Sequence, residues 1–139
     1  MDTSETYTKM CEKAVEIQKA YPQGLDNILW HGDIRYSVEK QDFDFIEFNE
    51  DTGKIVFSTY DHFKWWAIWL PRQDQLQEIC QPIAIDELIR RFYEWYHPWF
   101  MSQSAKGACH TSMEQLWLAF VMEQLYNKGW NGEDWEALD

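Results

Sequence analysis

The stretch Met113 to Tyr126, MEQLWLAFVMEQLY, places apolar side chains around most of a helix: Met113, Leu116, Trp117, Phe120 and Leu125, joined by Leu118, Val121 and Met122. A helix apolar on nearly every side belongs in an interior, so the rest of the chain must supply a shell around it. Thr111 and Glu114, three apart before the apolar run, predict a capping box at its start. Lys128 and Gly129 supply the cation and the left-handed stop expected at its end. No catalytic signal of comparable strength stands anywhere else.

A chain of 139 residues reads as a single globular domain, 1–139, able to bury roughly two thirds of the surface that it exposes when unfolded. Nine Trp, seven Tyr and eight Phe stand beside 24 acidic and 12 basic residues. High charge predicts disorder only when aromatic residues are scarce, so this balance argues for a folded, strongly anionic domain. A net charge of −12 repels nucleic-acid phosphates, and only Arg90 and Arg91 are adjacent bases, so no direct nucleic-acid binding is expected. The same field disfavours an anionic membrane and favours a protein with a basic surface, such as a groove that itself receives nucleic acid. A simpler account is that the charge keeps an aromatic-rich domain soluble.

Met1 is followed by Asp2 and Glu5 rather than by a basic and then apolar leader, so a secretory signal is not expected. The longest wholly apolar runs, Trp65 to Leu70 and Leu116 to Met122, fall far short of the roughly 18 residues of a membrane span. Cys11, Cys80 and Cys109 are odd in number and far apart, which fits reduced thiols in a cytoplasm.

Between Ser4 and Tyr21, the residues Tyr7, Met10, Cys11, Ala14, Val15, Ile17 and Ala20 mark one face of an amphipathic helix, closed by Pro22 and Gly24. Leu25 to Gly32 reads as a connector. From Asp33 to Leu70 come four β-prone runs, IRYSV, FDFIEF, KIVFSTY and WWAIWL, which predict three or four antiparallel strands with one face covered by helices. Asn49 to Lys54 is a short polar loop suited to closing a hairpin. Arg72 to Cys80 predicts a short helix with Leu76 and Ile79 inward. Asp86 then caps another helix, whose Leu88, Ile89, Phe92, Tyr93 and Tyr96 form one buried stripe, ended or kinked at Pro98. Met101 to His110 is small and polar and reads as a mobile loop. Trp130 to Trp135, WNGEDW, reads as a turn with both rings folded back.

Four stretches together resemble a family of small, mostly uncharacterised proteins encoded in phages and prophages of Firmicutes: Ile68 to Ile79 (IWLPRQDQLQEI), Met10 to Ala14 with Glu16 to Gln18, Phe92 to Trp95, and Met113 to Val121 running on to Trp130 to Trp135. They span both ends of the chain, while Leu25 to Lys64 departs from the pattern. The resemblance implies a phage accessory protein in the cytoplasm of a bacterial host and carries no assigned activity or catalytic residue.

Catalytic constellations are thin. His97, Cys109 and His110 include two adjacent ligands on a loop, a poor metal geometry. Cys109 has no identifiable third group to orient a base, and Ser102, Ser104 and Ser112 lie in no nucleophile elbow. The acids are more informative. Asp42 and Asp44 alternate with Phe43 and Phe45, so a strand carries the acids on one face and the rings on the other. Glu47 follows, and Glu50 and Asp51 sit at the hairpin tip. Eight acids face three bases between Asp33 and Asp61. A divalent-metal nuclease needs a neighbouring Lys or His and a basic path for its substrate. An anionic strip with protruding rings instead suits entry into a basic groove. Glu133, Asp134, Glu136 and Asp139 form a second acidic cluster beside Trp130 and Trp135.

These readings converge on an α+β domain: an N-terminal helix, a three- to four-stranded antiparallel sheet and a C-terminal helical group packed on the sheet. The expected function is non-enzymatic binding of a host protein, with no catalytic residue, metal or cofactor. Asp42, Asp44, Glu47, Glu50, Asp51, Glu133 and Asp134 are the expected contacts, and a CRISPR effector or similar defence nuclease is the expected partner. A self-associating structural or regulatory phage protein, with Trp65, Trp66 and Trp99 as its patch, is one alternative. A small hydrolase or nuclease using the sheet carboxylates is the other.

Overall fold

A computed structural model describes residues 1–20, 34–37, 42–49, 54–57, 67–80, 83–102 and 110–139. It is an α+β protein whose packing divides into two compact units, Thr3–Pro71 and a second made of Met1–Asp2 with Arg72–Asp139.

The first unit begins with α1, Glu5–Lys13, and α2, Val15–Ala20. The Ser4 hydroxyl starts α1 by accepting from the Tyr7 amide at 3.2 Å, satisfying one of the helix's orphan donors. Tyr7, Met10, Cys11, Ala14 and Ile17 are wholly buried, as their spacing requires. Val15, placed with them from the sequence, is half exposed at 50 %. The single helix expected from Ser4 to Tyr21 is broken at Ala14, where the backbone turns to φ −81°, ψ 68°. Tertiary bonding accounts for the break. Gln18 donates from Nε2 to the Cys11 carbonyl at 3.1 Å and to the Trp69 carbonyl at 3.0 Å, while its Oε1 accepts from the Trp69 amide at 2.9 Å. One side-chain amide thus takes up a carbonyl at the interruption and pairs with the backbone of a strand.

That strand is β4, Ala67–Leu70, which joins β1, Ile34–Ser37, β2, Asp42–Asn49, and β3, Lys54–Phe57, in one antiparallel sheet of order β3-β2-β1-β4. β1 is central: Ile34 pairs with Phe45 on one side and Leu70 on the other. Asn49 pairs with Lys54; the loop expected between them, residues 50–53, lies outside the described residues. Ile68, Trp69 and Leu70 are all buried, which marks a strand covered on both faces. α1 packs against β4, and the Tyr7 hydroxyl donates to the Pro71 carbonyl where the strand ends. Trp65, Trp66 and the connector Leu25 to Gly32 lie outside the described residues.

The second unit holds α3, Gln73–Ile79, α4, Ile85–Ser102, and α5, Met113–Tyr126. At α3 the Arg72 amide donates to Gln75 Oε1 at 2.8 Å, and Leu76 is wholly buried. This cap and the β4 terminus at Pro71 give the WLPRQDQLQEI stretch a structural role. α4 starts one residue before Asp86, so Asp86 lies in the first turn, where its charge suits the positive helix end, rather than at the cap. The helix runs through Pro98 to Ser102. The ring removes one amide without ending the helix, and the expected loop can start only after Ser102. Residues 103–109 lie outside the described residues.

α5 fills the interior of this unit. Its residues Trp117 to Met122 are buried without a gap, while Met113 and Leu125, placed in the same girdle from the sequence, are exposed near its two ends. Its cap is displaced by one residue from the expected Thr111. Ser112 is the N-cap and its hydroxyl accepts from the Gln115 amide at 3.1 Å. Gln115, wholly buried, reaches back to accept from the Thr111 amide at 3.1 Å and donates to Asp2 at 2.8 Å. Ser112 also donates to the Asp2 carboxylate. The left-handed stop is Asn127, at φ 53° and ψ 45°, rather than Gly129. Asn tolerates that conformation better than most side chains do.

Lys128 and Gly129 belong instead to β5, Lys128–Trp130, which pairs with β6, Trp135–Ala137. The expected turn is therefore the tip of a small hairpin. A Cβ on Gly129 would stand 2.9 Å from Leu138 Cδ2, the end of an exposed side chain that can move aside.

Candidate interaction surface

The β5–β6 turn is the acidic site whose side chains can be followed. Asn131 Oδ1 accepts from the amides of Glu133 and Asp134, each at 2.8 Å, and the Asn131 amide donates to the Asp134 carbonyl at 3.1 Å. Such a side-chain-closed turn fixes the backbone without a β-ladder. Gly132, at φ +103°, sits where an L side chain would be strained. Asn131 Nδ2 also donates to Glu136, and Asp134 Oδ1 accepts from the Trp135 amide at 2.8 Å. Glu133, Asp134 and Glu136 are exposed. Beneath them the Trp130 and Trp135 rings meet at 5.1 Å between centroids, inclined by 56°. Trp135 is buried and Trp130 half-buried, so Trp135 lines the core and Trp130 keeps an accessible edge.

The sheet acids can be placed by register. In β2, Asp42 stands opposite Ser37, Asp44 opposite Arg35, and Glu47 opposite Val56. One of the expected contact acids therefore has a base as its cross-strand neighbour. Glu50 and Asp51 lie outside the described residues.

α4 carries a surface that the sequence reading assigned to the core. Leu88 is wholly buried, and Phe92 stacks on Trp117 at 4.1 Å with the planes 14° apart. Trp95 meets Phe120 edge-on at 5.4 Å and donates from Nε1 to Glu123 at 2.8 Å. Ile85, Ile89, Tyr93 and Tyr96 instead point outward, at 61 %, 59 %, 59 % and 37 % exposure. The predicted single stripe is two neighbouring ones, and α5 can cover only one. Of the other outward side chains, Arg90 donates to Glu87 at 2.9 and 2.7 Å and to Glu94 at 2.6 Å, and Arg91 to Glu87 at 2.8 Å. These two guanidinium groups hold the Glu87 carboxyl down to about 2.

Several of the groups considered for chemistry lie among the described residues. Ser112 is a helix cap. His97 is exposed and lies 5.2 Å from the Tyr93 ring. His110 is half-buried, its Nδ1 has no hydrogen-bond partner among the described residues, and burial lowers its pKa below the ordinary imidazole value. Cys11 and Cys80 are buried, and burial pushes the Cys80 thiol up. Cys109 lies outside the described residues. Among the described residues no three His, Cys, Asp or Glu side chains gather to hold a metal ion, and no helix is long and apolar enough to cross a membrane.

No family model, curated protein or solved structure matches this chain.

Proposed function

We propose that this chain is a non-enzymatic phage accessory protein that binds a basic surface of a host protein through acidic, ring-bearing turns. The host protein in this reading is a nucleic-acid-handling defence nuclease, such as a CRISPR effector, which the bound protein inhibits by occupying its nucleic-acid path. The phage origin rests on the resemblance carried by WLPRQDQLQEI, MEQLWLAFV and WNGEDW.

The observation that carries the reading is the β5–β6 turn. Its exposed Glu133, Asp134 and Glu136 stand on a backbone already held by Asn131, so little ordering entropy opposes docking. Its unit carries twelve acids against five bases, a field that accelerates encounter with a cationic groove. The sheet acids Asp42, Asp44 and Glu47, with Glu50 and Asp51, form the second contact in this reading.

Capture of host proteins on the immobilised chain, followed by mass spectrometry, tests it. Enrichment of basic nucleic-acid-handling proteins, released by moderate salt and lost in E133K/D134K/E136K, is the expected result. Equal recovery on that variant and on one reversed at Asp42, Asp44, Glu50 and Asp51 would remove both acidic surfaces from the function.

A further inference from the structure

Ile85, Ile89, Tyr93 and Tyr96 succeed one another at intervals of four, four and three along α4, so they form one continuous outward strip. At the exposures given above they present on the order of 400 Å² of largely apolar surface, the size at which such patches mark interaction sites. A partner must match both this strip and its charged flank. Asp86 and Arg90, both exposed, lie roughly 60° and 100° round the helix from Ile89, on the same side of the strip.

That pattern is self-complementary. In an antiparallel pair of α4 helices with Ile89 at the two-fold axis, Ile85 of one copy stands level with Tyr93 of the second copy, and the reverse contact is generated by symmetry. On the flank, Arg90 of one copy then lies about 3 Å along the axis from Asp86 of the second copy. Its guanidinium, held within its own helix by Glu87 and Glu94, can add Asp86 as a third carboxylate through the N–H donors those bonds leave over. We propose that the exposed face of α4 is an isologous dimer interface, formed by Ile85, Ile89 and Tyr93 and flanked by two symmetric Asp86–Arg90 pairs.

Two magnitudes set how this dimer behaves. A patch of about 400 Å² per copy is half the roughly 800 Å² per partner of a standard stable interface, so the association is weak and concentration-dependent. Each copy also carries −12, so the copies repel one another, and added salt, by screening that repulsion, strengthens the dimer by more than it takes from the two flanking pairs, which are exposed and therefore weak. Binding of an acidic turn to a basic host protein weakens with salt. The opposite salt responses separate this inference from the proposed function.

Sedimentation equilibrium of the full chain, at rising protein and salt concentrations, is the test. The expected result is a reversible dimer favoured by salt. I89D and, as an independent variant, Y93S should each weaken it by at least about tenfold. D86R and R90E should each weaken it about three- to tenfold, and D86R/R90E should restore it to within about twofold of the starting value. Circular dichroism confirms that α4 stays folded in each variant. A monomer at every concentration and salt, or a dimer indifferent to I89D and Y93S, overturns the interface. A double variant as weak as the singles overturns the two-fold register.

Discussion

α4 and α5 are both rich in large apolar residues, yet α5 is covered around its circumference and α4 on one flank only. The difference lies in where the apolar positions fall, rather than in their number. α5 runs Trp117 to Met122 without a polar interruption, so no orientation exposes a polar face, and burial follows. α4 interleaves Glu87, Arg90, Arg91 and Glu94 with its apolar residues, so it can satisfy a core contact through Leu88, Phe92 and Trp95 and still present a second strip. A pair of helices in one unit thus separates apolar residues that hold the fold together from apolar residues left over for a contact.

Substitution can break that distinction. The largest effect is expected at Trp117, 4 % exposed and stacked on Phe92: W117A should cost about 3–5 kcal/mol in chemical denaturation, and a fully stable variant would contradict its core role. F92A, on the half-buried side of the same ring pair, should cost about 2 kcal/mol. S112A removes the α5 cap and should cost about 1 kcal/mol. I89S lies on the outward strip and should shift stability by no more than about 0.5 kcal/mol; a loss near that of F92A would move this strip into the core.

The smallest signal is a slope, from the residue that leads into α5. Burial holds the His110 imidazole below its ordinary value near 6.5, so the unfolded chain takes up the proton more readily than the folded one. Stability is then complete above about pH 6.5 and declines as pH falls below it, down to the folded-state pKa. The melting temperature should drop less in H110N than in the unchanged protein between about pH 7 and about pH 5.5, and parallel curves would remove the effect.

Much of the fold was legible because periodicity records burial directly. Tyr7, Met10, Cys11, Ala14 and Ile17 read as one face and are one; each of the four β-prone runs overlaps one of the four described strands; the unbroken apolar run of α5, Trp117 to Met122, announced its place. The misreadings came where a distant residue decides a local choice. Nothing near Ala14 breaks a helix, and the interruption follows from Gln18 bonding to Trp69 across 51 residues. Thr111 and Ser112 both suit a cap, and Ser112 is the one that also bonds to Asp2. The α4 stripe was read too wide because spacing tells which residues share a face and leaves open whether a neighbour covers it. Of the candidate site, Glu133 and Asp134 were legible as acids, while the Asn131 lock that shapes their turn was visible only as the tripeptide Asn-Gly-Glu.

Asp2 bonds to Ser112 and Gln115, 110 and 113 residues further along the chain, and packs with a unit that otherwise begins at Arg72. During synthesis at about 5–20 residues per second, Asp2 waits roughly 5–20 s for these partners to be made. Thr3–Pro71 has all its own residues well before then. The sheet unit can therefore form first, and the helical unit gains its Asp2 contacts only once α5 has been made.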